Sequence, residues 1–331
     1  MSARPLGAFG TMIRTGLPGY AGAETWGKPG AAKIASARPA AAWSERSIRI
    51  MITSPPAGRE RTMGRKRGHH MKRDVVEIAR PERPVRERIN AEEWRLRCEL
   101  AAAHRLVAHF VFVDMTYNHI SVRVPGEPDH LLVKADNVFM EQVTASNLVK
   151  YDLDGNLVMD SGHKASPAAY NLHAAVLKAR PDIVAAVHTH SPANLAVSAQ
   201  KGGLRPITQQ AMRFYNRIAY YPNEVDDTTR EGADKLAAAL GDKWVMILEN
   251  HGALVCGTSL AEAYIYHHFF ELACRAQVGA LAGGAEVITP APEVCEERAR
   301  KFGRIGQYDH GSRDWVASMA LAEKLFPDYR E

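Results

Sequence analysis

The chain has 331 residues, 42 Lys and Arg against 37 Asp and Glu, and a formal charge of +5. The excess is confined to the first 70 residues, which carry 12 basic and 3 acidic side chains; the remainder holds 30 basic and 34 acidic. The folded part is therefore mildly acidic and has no electrostatic footprint for nucleic acid, and no apolar run reaches the eighteen or so residues of a membrane span.

Residues 1–70 are rich in Ala, Gly, Pro and Arg and show neither helical nor strand periodicity. Arg65-Lys66-Arg67 is a short basic cluster. A transit peptide, a nuclear-import or nucleic-acid patch and a plain disordered extension are all compatible with it. The extension is preferred, with Met63 and Met71 as alternative starts. The expected division is a disordered basic extension over 1–85, a folded domain over 86–285 and a C-terminal helical extension over 286–331.

Asn90-Ala91-Glu92-Glu93 has the form of a capping box opening a helix through Trp94, Leu96, Leu100 and His104. Short β-rich pieces are expected at Phe110–Val113, Ile120–Val124 and Leu131–Val133, broken by Pro125-Gly126 and Pro128-Asp129. Thr144–Lys150 reads as a short helix, and Asp154-Gly155 as a hairpin turn. Ser166-Pro167 starts a helix that ends near Arg180-Pro181. Ile183–His190 and Trp244–Leu248 are buried strands, Ala253–Cys256 another; Asp227–Leu240 is a helix stopped by Gly241, and Ser259–Glu262 caps a long helix toward Ala282. Strands alternating with amphipathic helices indicate a layered α/β domain. Cys98, Cys256, Cys274 and Cys295 are scattered without Cys-x-x-Cys spacing, which fits a reducing cytoplasm.

The chemistry concentrates at three histidines. His188 and His190 close the run Val184-Ala185-Ala186-Val187, and His251 follows Trp244–Leu248 just before Gly252. Residues i and i+2 of a strand share a face, so the pair can aim two ring nitrogens at one point. A third ring from a neighbouring strand completes a three-histidine site suited to Zn²⁺ or another divalent metal, with one position open.

The chain resembles the class II aldolase/adducin family. The strings that carry the resemblance are Tyr117-Asn118-His119-Ile120-Ser121-Val122-Arg123, Val143–Asp152, His188-Thr189-His190-Ser191-Pro192 and Glu249-Asn250-His251-Gly252. The resemblance implies a three-layer α/β/α domain with a central mixed or antiparallel sheet. It also implies a divalent ion, usually Zn²⁺, on His188, His190 and His251, and a homotetramer with active sites at subunit junctions. Where the enzymes of the family carry Pro-Ser-Ser-Glu, four residues before the helix histidine matching His173, this chain has Ser166-Pro167-Ala168-Ala169. Ala169 thus replaces the catalytic glutamate. Val133-Lys134-Ala135-Asp136-Asn137 stands where a phosphate loop would be.

By that resemblance Tyr220 or Tyr221 is expected to donate a proton, and Glu249 is a candidate acid–base group or a partner of a ligand histidine. Asn118, Ser121 and Lys134 are candidate substrate contacts, with Arg123 a further anion binder; His173, His267 and His268 are expected to be structural. The expected function is a metal-dependent carbon–carbon lyase, by retro-aldol cleavage or decarboxylation, acting on a small unphosphorylated hydroxy-carbonyl substrate. The alternative is a non-catalytic adducin-like binding module that keeps the metal. The expected partners are a small-molecule substrate and further copies of the chain, with no nucleic acid or membrane.

Overall fold

The computed structural model describes residues 83–111, 113–222, 229–303, 305 and 311–331. Nearly all of the expected N-terminal extension, and Asp227 at the start of one expected helix, lie outside them.

A three-layer α/β/α domain is built on an eight-stranded mixed sheet. In chain order the elements are α1 (Ala91–Phe110), β1 (His119–Val124), β2 (Glu127–Val133), β3 (Val149–Asp152), β4 (Leu157–Met159), α2 (Pro167–Ala179), β5 (Ala185–Thr189), α3 (Pro192–Ser198), α4 (Gln209–Met212), β6 (Ile218–Tyr221), α5 (Arg230–Leu240), β7 (Val245–Leu248), β8 (Gly252–Gly257), α6 (Leu260–Leu281), α7 (Pro292–Phe302) and α8 (Val316–Leu325). The strands lie in the order β4-β3-β2-β1-β5-β8-β7-β6, and only β6 and β7 run parallel.

Strands β7 and β8 carry no polar side chain because both faces of the sheet are covered there. Val245 and Ile247 of β7 and Ala253 and Val255 of β8 pack with Tyr266 and Phe270 of α6, while Met246, Leu248, Leu254 and Cys256 face Leu236 and Leu240 of α5 and Leu172 and Val176 of α2. On the α6 side a further cluster joins Leu100, Leu106 and Val107 of α1 to Ile120, Val122 and Val187, and it takes in Trp315, Ala322 and Tyr329. The C-terminal segment is thus part of this core. Ala145 and Ser146 donate backbone N–H groups to the carbonyls of Tyr329 and Glu331, both at 2.9 Å, and Arg105 pairs with Asp328 at 2.6 Å.

Helix starts follow their caps. Asn90, Ser191, Thr208, Thr229 and Ser259 each accept a backbone N–H from the residue three positions on. Glu262 accepts from the N–H and hydroxyl of Thr258, the residue before the cap, whereas Glu93 turns inward to Arg97 and Lys150.

Three local expectations are corrected. Phe110 is the last residue of α1 and the Val111 N–H bonds the Val107 carbonyl, so packing of α1 overrides the strand propensity expected at the start of Phe110–Val113, of which Phe112 lies outside the described residues. Thr144–Lys150 is not a helix: the Asn147 side chain accepts the Thr144 N–H at 2.9 Å and fixes a turn, after which Val149 and Lys150 enter β3. Pro128-Asp129 does not break the chain; both residues stand inside β2 opposite a β-bulge at Arg123/Val124, where proline costs no ladder bond. No described helix is long and apolar enough to cross a membrane.

Candidate metal centre

Three chain segments converge at one end of β5. His188, wholly buried within β5, lies opposite His119 of β1 and Leu254 of β8. Its Nδ1 lies 3.0 Å from the carbonyl oxygen of Ala253. A carbonyl only accepts, so Nδ1 carries the proton and Nε2 presents a lone pair.

His190 follows the strand. Its backbone N–H donates to Asn118 Oδ1 at 2.7 Å, and Asn118 Nδ2 donates to the Asp114 carbonyl at 2.9 Å. The His190 Nδ1 faces the Asp114 carboxylate at 3.4 Å, which again leaves Nε2 as the ligand atom. The two Nε2 atoms stand 2.8 Å apart. Two lone pairs held face to face, each by a proton-accepting partner at the far side of its ring, fit a shared cation.

His251 arrives on the turn between β7 and β8. Asn250 takes φ 56° and Gly252 φ 153°. A Cβ on Gly252 would lie 2.6 Å from the Thr189 carbonyl oxygen and 3.0 Å from the His190 ring, so only glycine lets this turn approach the strand bearing the other two histidines. The ligand nitrogens of His188, His190 and His251 all lie within 4.8 Å of one another. Burial, then the neighbouring His190 and His251, hold the His188 imidazole well below its ordinary value, in the neutral form that binds metal.

The segment after β5 is clamped from beneath. Glu271 of α6 accepts from Ser191 Oγ and Asn194 Nδ2, both at 2.6 Å; Asn194 Nδ2 also reaches the Thr189 carbonyl at 3.1 Å, and His267 Nε2 meets Thr189 Oγ1 at 2.8 Å. Burial raises the Glu271 carboxyl.

The histidines open onto a cavity of about 430 Å³ whose wall also includes Thr116, Tyr117, His119, Asp136, Ala169 and Leu172. Ala169 thus stands in the wall where a glutamate would face the ligands, and none of the described lining residues is Lys or Arg.

The other expected site residues are placed differently. Asn118 is wholly buried as the brace of His190. Ser121 is wholly buried against His173, and the Lys134 ammonium is spent on the carbonyls of Ala135 and Val138 at 2.8 and 2.6 Å. Burial lowers the Lys134 amine to about 8. Arg123 binds the carbonyls of Pro128, Leu177 and Ile183. Tyr220 and Tyr221 lie on the edge strand β6, the Tyr220 hydroxyl accepting from the Leu204 N–H at 3.3 Å, and Glu249 is exposed beside His251. None of these seven lines the cavity. Asp114, Tyr117 and Asp136 were not singled out in the sequence. Tyr117 and Asp136 lie within the Tyr-Asn-His-Ile and Val133–Asn137 strings, and Asp114 three residues before the first, but nothing in the spacing sets them apart. A larger cavity of about 740 Å³, between Arg213, Trp244 and Glu296, contains none of the three histidines.

Residues 98–278 match the family described as Class II Aldolase and Adducin N-terminal domain. The chain belongs to this family. An aldolase II superfamily protein from Pseudomonas syringae has a similar crystal structure, with 41% sequence identity and a TM-score of 0.71 over 75% of this chain and 99% of that one. An L-fuculose 1-phosphate aldolase from Glaciozyma antarctica shares 26% identity at a TM-score of 0.65, over 77% of this chain and 98% of the enzyme. Mouse alpha-adducin is 41% identical over 248 residues, 70% of this chain and 34% of adducin. The chain thus corresponds to about a third of adducin and to the whole of the two solved relatives.

Proposed function

We propose that this family member is a divalent-metal-dependent carbon–carbon lyase, cleaving a small hydroxy-carbonyl compound by retro-aldol reaction or decarboxylation. The observation that carries the reading is the convergence of His188, His190 and His251, with the His188 and His190 rings each oriented by a partner at Nδ1. Three imidazole nitrogens with a cavity on the open side suit Zn²⁺. The ion would supply Lewis-acid polarisation of a substrate oxygen.

The chain's own residues set the rest. Asp136 is the acidic group in the cavity wall, and no described lining residue is cationic, which supports an unphosphorylated substrate. Ala169 cannot exchange a proton, so that task falls to other ionisable groups in the cavity wall, among them Tyr117 and Asp136. Tyr221 is buried in the core and is not offered to a neighbour, whereas the exposed Tyr220 and Glu249 would contribute across a subunit boundary, and we propose a homotetramer on that basis; the family relationship supports oligomer formation. A cytoplasmic location accords with four free cysteines, all buried.

Ala169 and the alpha-adducin relationship favour a second reading, a binding module that keeps the metal without catalysis. A panel of retro-aldol and decarboxylation substrates, run on zinc-loaded wild type and His251→Ala, separates the two. The lyase reading expects turnover that disappears with His251. A zinc-loaded wild type inert across the panel favours the binding module.

A further inference from the structure

His119 is the cross-strand partner of His188, with ring centroids 5.0 Å apart, and it lines the cavity at 7% exposure. Its Nδ1 lies 2.7 Å from His173 Nε2, and His173 Nδ1 lies 2.5 Å from Ser121 Oγ. His173 and Ser121 are wholly buried. The chain Ser121–His173–His119 therefore runs from the interior to the cavity wall through both nitrogens of one imidazole.

Its polarity follows from counting protons. Among the described residues, His173 Nδ1 is the one acceptor in reach of the Ser121 hydroxyl. Reversing the chain would bury that O–H without a partner, a loss comparable to a whole hydrogen bond. Ser121 therefore donates to His173 Nδ1. Burial holds His173 neutral, its imidazole pushed down to about 3, so its single proton sits on Nε2 and is donated to His119 Nδ1. The remaining proton of a neutral His119 is then on Nε2, the nitrogen not engaged by the chain.

We propose that His119 is a fixed neutral hydrogen-bond donor to the substrate, its Nε2–H placed at the oxygen that gains negative charge, with Ser121 and His173 as the positioning residues that set its tautomer. No proton is transferred; the bond strengthens as charge develops, which is how preorganised donors favour a transition state. Where Ala169 has removed an acceptor from the cavity, the chain has placed a donor beside His188. This inference rests on the lyase reading and names a substrate-contacting residue for it.

The test uses the full-length protein loaded with zinc and the probe glycolohydroxamate, a small chelating mimic of an enediolate, titrated calorimetrically with zinc content measured on every sample. His119→Phe should weaken the probe by about tenfold or more with zinc content unchanged. His119→Gln, whose amide N–H can stand in for Nε2–H, should stay within about threefold of wild type. Ser121→Ala should lose affinity several-fold and Ser121→Thr should recover it, a rescue that a merely space-filling serine would not show. Should His119→Phe fail to fold, the serine pair decides alone. Unchanged affinity in His119→Phe, or equal affinities in the two serine variants, overturns the proposal. So does a loss of zinc in His119→Phe, which would make His119 a ligand. A wild type that takes up no zinc overturns the lyase reading instead, and this proposal with it.

Discussion

The His188 ring donates from Nδ1 to the carbonyl oxygen of Ala253, 3.0 Å away on the neighbouring strand, and this one bond decides which nitrogen the ring offers to the centre. The strand pairing that builds the sheet therefore also sets the tautomer of His188. His190 is treated alike by Asp114 at 3.4 Å, but from a carboxylate whose side chain is 47% exposed.

That difference makes Asp114 the separable support. Asp114→Ala should lower zinc affinity by roughly 10–100-fold, as loss of a partner to a ligand histidine generally does. The metal-free melting temperature should hardly move. Competition with a chromogenic chelator measures the first quantity and calorimetric melting the second.

Gly252 is the tightest point of the centre, since a Cβ would meet the Thr189 carbonyl oxygen at 2.6 Å on a backbone with φ 153°. Gly252→Ala should cost about 1–3 kcal/mol of stability, the usual scale of backbone strain. It should also weaken zinc binding by moving His251 off the other two ligands. Asn250→Gly, at φ 56°, keeps a backbone region that glycine adopts freely and should leave both nearly unchanged. Urea melts with parallel metal analysis distinguish the pair.

The fold was legible where side chains repeat with a period or punctuate it. The apolar runs before His188 and His251 became central strands because both faces are covered, and Ser191-Pro192 turned the chain into α3 as its capping chemistry requires. It was illegible where one side chain decides. Asn147 folds back onto the Thr144 N–H in place of a helical turn, and a bulge makes room for Pro128 within β2. The approach of His188 to His190 could be read from spacing because a strand presents i and i+2 together. The fate of Asn118, Ser121 and Lys134 could not, since polar residues near a site serve equally as substrate contacts or as buried braces. Only the partners, His190, His173 and two backbone carbonyls, distinguish the roles.

Glu93 is buried between two cations, at 2.9 Å from Arg97 and 2.9 Å from Lys150. Glu93→Ala would leave the buried Arg97 without its carboxylate, and Lys150 with Glu127 alone, and should destabilise the domain by about 3–5 kcal/mol. Glu93→Gln, which retains acceptor and donor atoms of similar shape, should cost less. Thermal melts of the two variants against wild type rank them; equal stabilities would contradict the assignment.

Acid lability follows from histidines buried in neutral form. Burial pushes His104, His173 and His267 each down to about 3, from an ordinary value near 6.5. Above about pH 6.5 both folded and unfolded chains keep these rings neutral and stability is undiminished. Below it the unfolded chain takes up protons that the folded chain refuses. Each group then removes about 1.4 kcal/mol per pH unit until the folded value is reached. Stability should therefore fall steeply between about pH 6.5 and 3, with unfolding well before pH 3. Denaturant midpoints across that range, in chelator to remove metal, should show this slope.

The most direct measurement is elemental analysis of purified full-length protein before and after incubation with zinc and desalting, beside His188→Ala and His251→Ala prepared in the same way. The account predicts about one divalent ion per chain in the wild type, from a three-nitrogen site. It predicts a heavy loss in both variants, with their folds intact by circular dichroism. A wild type that neither carries nor takes up metal, or alanine variants that retain it in full, would contradict the assignment of His188, His190 and His251 as a metal centre.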